Sequence, residues 1–260
     1  MLADFQPWLD RWSLEADGQP FVTPYAGSRL LPVRRAGVAA MLKLAASDDE
    51  RRGAAVMGWW GGRGAAPVLA RAGDALLMAR AEGRRALHQA EDATATAILC
   101  AAVRALHGER EQAPPPTPPL ARLFAALLNT GDSRLDGPRR VARTLLDAPR
   151  EIVLLHGDIH HRNVLDFGPA GWLAIDPWGF QGERAYDYAN ILRNPGLERV
   201  VEPGRFDRGR AQIAERAGLE PERLLCWIYA HAGLAAAWEL ADGQDPSRSW
   251  AVLELAEARL

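Results

Sequence analysis

Lysine is almost absent from this chain of 260 residues: 30 of its 31 basic residues are arginine, and only Lys43 is lysine. A sequence that uses arginine everywhere else suggests that Lys43 stands where a planar guanidinium does not fit. Lysine carries a compact charge on a flexible stem, which suits an approach to phosphate oxygens in a narrow cleft. Chance retention is the alternative. Because Lys43 follows the apolar run of residues 38–42, a functional position is the better interpretation.

Cysteine and long apolar segments are scarce as well. Cys100 and Cys226 lie in apolar segments typical of helices, so buried free thiols are a better interpretation than a disulfide. No apolar run approaches the roughly 18 residues of a membrane span. Residues 1–12 carry Asp4 and Asp10 without a basic segment, which argues against a secretory signal. We therefore expect a cytoplasmic protein that does not contact a membrane.

The chain also lacks an excess of positive charge. Its net charge of −2 argues against a nucleic-acid partner, because nucleic-acid-binding proteins usually show a strong basic excess. A hydrophobic content of 48% and a charged content of 25% are ordinary for a globular protein. The length fits one compact two-lobed unit, and the sequence carries no signal for an oligomeric state.

Periodicity predicts where strands and helices lie. Two hairpins are expected, one from residues 29–35 and 38–44 and one from residues 67–70 and 74–79. A helix should run from Ser47 to about Trp60, and residues 151–155 should form a strand. The later part should be mainly helical, with helices over residues 91–107, 120–128, 138–146, 206–217, 220–240 and 247–260.

Two short apolar runs lead into acidic residues. Residues 154–165 read Leu-Leu-His-Gly-Asp-Ile-His-His-Arg-Asn-Val-Leu, and residues 172–179 read Trp-Leu-Ala-Ile-Asp-Pro-Trp-Gly. Such runs predict buried strands, whose ends can hold side chains in fixed positions over a cleft. We expect Asp158, Asn163 and Asp176 to converge, since two carboxylates and an amide suit Mg²⁺ and leave positions for phosphates. Kinase-type phosphoryl transfer uses such a set.

The pattern His-Gly-Asp-x-x-x-x-Asn-x-Leu, followed by Ile-Asp-Pro, resembles the aminoglycoside phosphotransferases, which are relatives of the protein kinases. The longer match includes Gly-Trp-Leu-Ala-Ile-Asp-Pro, Gly-Glu-Arg and Asp-Tyr-Ala-Asn. It resembles the streptomycin 6-kinase branch, which is grouped with hydroxyurea-resistance kinases. The resemblance extends from about Phe21 to the C-terminus, so it covers most of the chain.

This resemblance implies an α+β, protein-kinase-like fold with two lobes. Residues 1–80 would form the N-lobe, with a small antiparallel sheet, one helix that packs on it and an N-terminal helix over residues 1–12. Residues 81–260 would form a larger, mainly helical C-lobe that contains the catalytic loop and the substrate-binding helices.

The resemblance also implies roles for the motif residues. Asp158 would be the catalytic base that aims the acceptor hydroxyl, Asn163 and Asp176 would hold Mg²⁺, and Lys43 would contact the phosphates of ATP. His156 would organise the catalytic loop.

Glu50 has two interpretations. It can be the helix glutamate that pairs with Lys43, or it can turn back onto its own helix N-terminus in a capping box with Ser47. Glu50-Arg-Arg-Gly resembles the Glu-x-Arg-Gly of streptomycin kinases, which favours pairing. The sequence leaves both interpretations open.

Further nucleotide contacts are expected from two backbone segments. Tyr25, Ala26, Gly27 and Ser28 offer N–H groups and a hydroxyl to phosphates, although an ordinary turn is equally compatible. Residues 78–82 would form the hinge that binds the adenine edge through the backbone of Ala79 and Glu82. Family members often have an acid at the Ala79 position, and backbone binding tolerates that change.

For the acceptor, the selected candidates are His160, Glu183, Asn190, Trp238 and Glu239. From His231 onward the chain has five acids and two arginines, a balance of −3 that would steer a cationic acceptor towards the site. A solvated helical surface is the alternative. The adjacent His160 and His161 are not expected to bind zinc, because no cysteine lies nearby.

Two further residues qualify this picture. Trp178 stands where relatives often have lysine, which removes a cation beside the expected metal site. Asp187 is expected to tie its own loop to the catalytic segment rather than to take part in the chemistry.

The leading hypothesis is an ATP- and Mg²⁺-dependent phosphotransferase that acts on a hydroxyl group of a small molecule. The resemblance implies an aminoglycoside of the streptomycin type. One alternative is a kinase for an unrelated hydroxylated metabolite. Another is a non-catalytic pseudokinase that binds a nucleotide or an aminoglycoside. The set of Lys43, Asp158, Asn163 and Asp176 argues against the latter, since a binding protein does not need Asp158.

Overall fold

The computed structural model describes residues 1–23 and 27–260, so the predicted phosphate contacts of Tyr25 and Ala26 lie outside the described residues. The strands are β1 (Leu14–Ala16), β2 (Phe21–Val22), β3 (Arg29–Arg35), β4 (Val38–Leu44), β5 (Val68–Ala72), β6 (Ala75–Ala79), β7 (Ile152–Leu155), β8 (Val164–Asp166), β9 (Trp172–Ala174) and β10 (Phe180–Glu183). The helices are α1 (Gln6–Trp12), α2 (Asp48–Trp60), α3 (Asp92–Leu106), α4 (Ala125–Asn129), α5 (Asp136–Asp147), α6 (Tyr186–Ala189), α7 (Leu197–Val200), α8 (Arg205–Ala217), α9 (Pro221–Ala241) and α10 (Ser247–Glu257).

An antiparallel sheet occupies the N-terminal part of the chain. Its strands lie in the order β1-β3-β4-β6-β5, and β2 pairs with β3. The predicted hairpins are confirmed as β3–β4 and β5–β6. The β3–β4 turn places both Ala36 and Gly37 at positive φ, a backbone conformation that glycine adopts readily. Lys43 lies on the central strand β4, opposite Leu30 on one side and Leu76 on the other.

Successive side chains of a strand point to opposite faces, and this alternation separates two apolar clusters. Leu42 and Leu77 belong to the smaller cluster, which α1 covers with Phe5 and Leu9. Leu76 and Met78 belong to the larger cluster, which extends through the helices to Ala256. Lys43 is paired with Leu76, so its side chain points to the side of the larger cluster.

Helix α2 packs on that side because its buried residues recur at the helical spacing of three and four. These residues are Gly53, Val56, Met57 and Trp60. The helix begins after Ser47, whose hydroxyl accepts a hydrogen bond from the N–H of Glu50. It ends at Gly61 in the left-handed conformation typical of a helix C-terminus.

Two short antiparallel pairs hold the motif segments. β7 pairs with β10, and β8 pairs with β9. The strands predicted around residues 151–155 and 172–175 are thereby confirmed as β7 and β9. The predicted helix over residues 120–128 is wrong in extent, because a 3₁₀ turn at Leu120–Arg122 precedes the five residues of α4.

The remaining predicted helices are confirmed as α3, α5, α8, α9 and α10. With a separate antiparallel sheet and a mainly helical second half, the chain has the predicted α+β class. The division into lobes at residues 1–80 and 81–260 stays a prediction.

Helix α9 qualifies the expectation that no segment approaches a membrane span. By length and composition it could cross a membrane, but 72% of its most apolar window is buried inside the protein. It packs against α5, α6 and α10, as the core helix of a helical layer does. Its apolar character is therefore explained by its place in the core.

Two buried histidines lie in this helical part. His231 of α9 is 4% exposed. His161 is 3% exposed and lies in the loop between β7 and β8 (residues 156–163), which is named the catalytic loop after its expected role. Burial lowers the pKa of each to about 3, and a nearby arginine adds to the effect in both cases. Both side chains are consequently neutral in the folded protein at physiological pH.

Acidification should therefore destabilise the fold. Below about pH 6.5 the unfolded chain binds protons at these histidines that the folded chain does not. Between about pH 6.5 and pH 4.5, each histidine should lower the free energy of unfolding by up to about 2.7 kcal/mol. Urea unfolding at several pH values measures this dependence. His161→Gln and His231→Gln should each reduce the slope with pH, and slopes equal to that of the wild type would contradict the assignment.

Candidate active site

A cavity of about 430 Å³ lies between the sheet and the β8–β9 hairpin. Apolar side chains form most of its wall. They are Phe21, Leu30, Met41, Leu76 and Met78 on the sheet side and Leu165, Phe167 and Ile175 opposite. Lys43, Glu50 and Asp176 also line the cavity. An apolar slot with a few convergent charged groups is typical of a small-molecule site and suits a flat base attached to a charged tail.

The charged groups form an ion cluster centred on Lys43. Its Nζ contacts Oε2 of Glu50 and Oδ1 of Asp176. Only 10% of the Lys43 side chain and 12% of the Glu50 side chain are exposed, whereas 39% of the Asp176 side chain is exposed. Burial alone would lower the pKa of Lys43, but the charges of Asp176 and Glu50 raise it above its ordinary value. Lys43 is therefore a fixed cation.

This geometry decides between the two interpretations of Glu50. Its backbone N–H donates to the Ser47 hydroxyl, which is one half of a capping box. Its carboxylate faces Lys43 instead of completing the box. Pairing with Lys43 and partial capping of the helix by Ser47 therefore occur together.

Helix α2 is held close to the segment that follows Asp176. A Cβ atom built on Gly53 would lie 2.2 Å from the carbonyl oxygen of Pro177, so only glycine allows this approach. Arg52 Nε donates to the carbonyl oxygens of Trp178 and Gly179 at 2.9 and 3.0 Å. These contacts fix the helix that carries Glu50 against the loop that carries Asp176.

Asp176 and Asn163 lie on neighbouring strand ends. The N–H of Ile175 donates to the carbonyl oxygen of Asn163 at 2.9 Å, next to the register pair of Val164 and Ala174. Asp176 has a φ of 61°, which is uncommon for a residue other than glycine and is found more often at functional sites. The hairpin thus places an amide and a carboxylate side by side.

The carboxylate of Asp158 is held by neutral donors on both of its oxygens. Asn190 Nδ2 donates to Oδ1 at 3.1 Å, and Asn163 Nδ2 donates to Oδ2 at 3.2 Å. His160 Nε2 lies 3.5 Å from Oδ2. Burial raises the pKa of Asp158, but the hydrogen bond and charge of His160 outweigh it, so the pKa is below its ordinary value. Asp158 is ionised at neutral pH.

The backbone of the catalytic loop is anchored by Asp187. Its two carboxylate oxygens accept the N–H groups of His156 and Gly157, each at 2.8 Å. His107 Nε2 lies 2.9 Å from the same carboxylate. Asp187 is 1% exposed, and these hydrogen bonds hold the loop in place.

His156 organises the residue that follows Gly157. Its Nε2 faces the carbonyl oxygen of Ile175 at 2.9 Å, and its Nδ1 faces the N–H of Asp158 at 3.2 Å. Because a carbonyl only accepts and an N–H only donates, Nε2 carries the proton and Nδ1 is the unprotonated acceptor. Burial lowers the pKa of His156, so the ring stays neutral and links the loop to the Asp176 segment.

Asn163 and Asp176 fit a partly coordinated Mg²⁺. Nδ2 of Asn163 is engaged by Asp158, which leaves its Oδ1 as a possible ligand, and Asp176 is accessible from the cavity. Within residues 1–23 and 27–260, no group of three His, Cys, Asp or Glu side chains could hold a metal on its own. This suits Mg²⁺, which commonly takes one or two protein ligands and completes its shell with phosphates and water.

Two predicted nucleotide contacts need correction. Ser28 is fully buried and is not part of the cavity wall, where Thr23 stands instead. Glu82 does not line the cavity, because its N–H donates to the carbonyl oxygen of Asp166 at 2.9 Å and its carboxylate pairs with Arg84. Ala79 does line the cavity, and so does Ala81, which was not singled out from the sequence.

Two predicted substrate contacts are also wrong, because their charges are already paired. Glu183 is 3% exposed and binds Arg223, the indole N–H of Trp227 and the N–H of Arg150. Glu239 pairs with Arg193 Nη1 at 2.8 Å, and 12% of its side chain is exposed. Neither carboxylate is free for a cationic acceptor.

Trp238 lies beside the catalytic loop through an aromatic contact. Its ring meets that of Trp178 edge-on, with centroids 5.6 Å apart. The N–H of Trp178 donates to the carbonyl oxygen of His156 at 2.8 Å. A Cβ atom on Gly157 would lie 3.3 Å from Trp178 Cβ, so this tryptophan lies directly against the loop. Trp178 therefore presents an aromatic side chain beside the loop.

Comparison with known proteins gives a consistent result. A sequence model of the aminoglycoside/hydroxyurea antibiotic resistance kinases matches residues 11–243. A streptomycin 3''-kinase of Klebsiella pneumoniae is 45% identical over 90% of this chain and 92% of its own length. A streptomycin 6-kinase of Streptomyces glaucescens is 32% identical over 90% of this chain and 81% of its own length.

Among solved structures, a thermostable mutant of aminoglycoside phosphotransferase APH(4)-Ia, in a ternary complex with AMP-PNP and hygromycin B, is similar with a TM-score of 0.67. The two chains are 16% identical, and the match covers 97% of this chain and 96% of the other. This likeness confirms the predicted protein-kinase-like fold.

The close approach at Gly53 generates a test of the ion cluster. Gly53→Ala should force α2 away from Pro177 and move Glu50 from Lys43. We expect a loss of about 1–3 kcal/mol in the free energy of unfolding, as for other overpacked sites. Binding of AMP-PNP, followed by calorimetry, should also weaken.

Gly58→Ala is the matched control on the same helix. A Cβ atom on Gly58 would meet nothing within 4 Å, so this variant should gain about 0.5–1 kcal/mol and bind the nucleotide unchanged. If Gly53→Ala behaved like Gly58→Ala, the close approach would have no role in the site.

Proposed function

Because the chain belongs to the aminoglycoside/hydroxyurea antibiotic resistance kinase family, we propose that it transfers the γ-phosphoryl group of ATP to a hydroxyl group of streptomycin. The observation that carries the proposal is the ion cluster of Lys43, Glu50 and Asp176 in the wall of an apolar cavity. Phosphoryl transfer depends mainly on positioning and on stabilising charge, and this cluster supplies a fixed cation for that purpose.

The nucleotide would occupy the cavity with its base between the apolar walls. Ala79 and Ala81 would present backbone groups to the adenine edge, as the hinge position of residues 78–82 implies. Lys43 has three ammonium protons, and the carboxylates of Glu50 and Asp176 can each accept one of them. A remaining proton is thus available to a phosphate oxygen, and the two carboxylates keep the ammonium pointing into the cavity.

Asn163 Oδ1 and the Asp176 carboxylate are the groups that would hold Mg²⁺. When bound there, the ion would neutralise charge on the nucleotide phosphates. The donor chemistry supports this assignment, since amide and carboxylate oxygens are ligands that Mg²⁺ prefers.

Asp158 would orient the acceptor hydroxyl by accepting a hydrogen bond from it. The lowered pKa of Asp158 keeps the carboxylate ionised and makes it a weak base. Its main work is therefore to aim the oxygen at phosphorus. As the new O–P bond forms, the bond from phosphorus to the ADP oxygen breaks, and the hydroxyl proton passes to Asp158.

The relatives favour streptomycin as the acceptor and its 3''-hydroxyl as the target. Identity is 45% with the streptomycin 3''-kinase and 32% with the streptomycin 6-kinase of S. glaucescens. The resemblance found in the motifs pointed to the 6-kinase branch, because the motifs are shared by the family and do not report the hydroxyl. Identity over 90% of the chain differs between the two kinases and favours the 3''-kinase.

Phosphorylation of streptomycin is the primary test. The purified protein with ATP, Mg²⁺ and streptomycin should release ADP and yield streptomycin that carries one additional phosphoryl group by mass spectrometry. Asp158→Asn keeps the shape of the side chain and should lower kcat about 100- to 10,000-fold, while AMP-PNP binding persists. An ADP release that is equal in both proteins would contradict the proposed role of Asp158.

The outcome with other acceptors decides between the remaining hypotheses. Turnover of a different hydroxylated metabolite, with none of streptomycin, would indicate a kinase of another specificity. Nucleotide binding without turnover of any acceptor in the panel would indicate a binding protein.

The position of the phosphate gives a separate prediction. Phosphorus–proton couplings in the NMR spectrum of the purified product should place the new ester on the 3''-hydroxyl. A streptomycin 6-phosphate standard, prepared with the S. glaucescens enzyme, serves as the control. A product identical to that standard would contradict the inference from sequence identity and leave the phosphotransferase activity intact.

A further inference from the structure

Asn190 is enclosed next to the proposed catalytic aspartate. It follows α6, and only 4% of its surface is exposed. Its Nδ2 donates to Asp158 Oδ1 at 3.1 Å. The sequence suggested Asn190 as a substrate residue, but a side chain that is buried in this way has its amide directed at Asp158 and not at an open cleft.

The direction of the Asn190 amide is fixed by a second asparagine. Asn194 Nδ2 donates to the backbone oxygen of Asn190 at 2.9 Å and to its Oδ1 at 3.0 Å. The backbone oxygen of Asn190 can only accept, so the Asn194 amide presents its NH₂ group to Asn190. Oδ1 of Asn190 must then face Asn194, which leaves its NH₂ group to face Asp158.

The asparagine pair is anchored in turn by a buried arginine. Arg205 is 2% exposed, and its Nη2 donates to the carbonyl oxygen of Asn194 at 2.7 Å. Its Nη1 donates to the carbonyl oxygen of Leu192 at 3.0 Å, and its Nε donates to Asp92 Oδ1 at 2.7 Å. A hydrogen-bonded chain therefore runs from α3 and α8 through the two asparagines to Asp158.

We propose that Asn190 is a positioning residue that sets the rotation of the Asp158 carboxylate. The inference rests on the proposed phosphotransfer function and adds a residue to it. Asn163, the proposed metal ligand, donates to Oδ2 of Asp158, and Asn190 donates to Oδ1. Two amide donors on the two oxygens define the plane of the carboxylate, so a lone pair is presented to the acceptor in a fixed direction. An amide does this without adding charge.

Removing the amide should impair the chemical step more than binding. Asn190→Ala should lower kcat about 10- to 100-fold, because a carboxylate that rotates freely misplaces the hydroxyl. The KM for ATP should not change, since Asn190 is not part of the cavity wall. Asn129→Ala, at an exposed asparagine of α4, is the matched control and should leave kcat unchanged.

A double substitution separates positioning from direct contact. If Asn190 acts through Asp158, Asn190→Ala should cause no further loss of kcat in an Asp158→Asn background. A loss that is equal in both backgrounds would overturn the proposal. A higher KM for streptomycin at unchanged kcat would also overturn it, because that result would make Asn190 a substrate ligand.

Asn190→Asp tests the need for a neutral donor with almost no change in volume. It places a second carboxylate about 3 Å from Asp158, and like charges at that distance disfavour ionisation of both groups. The acid limb of the pH profile of kcat/KM should move to higher pH by about one unit or more. An unmoved profile would overturn the proposal, and this variant carries the test if Asn190→Ala does not fold.

One measurement does not depend on turnover. The ¹³C carboxyl signal of Asp158, assigned by its loss in Asp158→Asn, can be titrated in the apo protein. Asn190→Ala removes a hydrogen bond to the charged form, so the Asp158 pKa should rise. An unchanged pKa would overturn the proposal. If the wild type phosphorylates no aminoglycoside, the proposed function fails, and this titration still decides the role of Asn190.

Discussion

The buried ammonium group of Lys43 is the interaction on which the rest of the site depends. A lone cation in an apolar interior is costly, and the cost is offset only when charged partners lie in direct contact. Glu50 and Asp176 provide those contacts from a helix and from a loop that is distant in the sequence. The cation therefore links β4, α2 and the segment that follows β9. Gly53 is required for the same reason, because α2 reaches the ion cluster only if nothing separates it from Pro177.

The three acids of the site have different partners, and the difference matches the work proposed for each. Glu50 and Asp176 share a cation, and the two contacts direct the ammonium group. Asp158 has two amides and a histidine instead. The two amides fix the direction of the carboxylate without the strong, directional pairing of an arginine, so the group keeps a lone pair for a hydroxyl. An arginine at position 190 would hold Asp158 more tightly and compete with the acceptor for the same oxygens.

The fold was largely predictable because its signals are local. The β3–β4 hairpin, α2 and the long later helices follow from the periodicity and the turn residues. The resemblance of Glu50-Arg-Arg-Gly to the streptomycin kinases favoured the pairing of Lys43 with Glu50 that the structure shows. The errors concern residues whose partners lie far away in the sequence. Glu183 looks like a free acid until Arg223 and Trp227 reach it across 40 and 44 residues. Glu239 is paired with Arg193 across 46 residues. Nothing near Asn190 in the sequence indicates that its amide would meet Asp158.

The surface around Asp158 lacks the unpaired acidic side chain that was expected at Glu239, and it includes two tryptophans. Glu239 is already paired with Arg193 and accepts a hydrogen bond from the Ser249 hydroxyl, so it adds little to the long-range electrostatic field. The surface next to the loop includes Trp178 and Trp238, whose rings meet edge-on. Aromatic faces attract cations at short range, and this attraction depends on close fit and little on net charge. The proposed acceptor, streptomycin, would thus be selected by contact with the indole rings after it arrives, and the chain's small net charge is compatible with that mode of recognition.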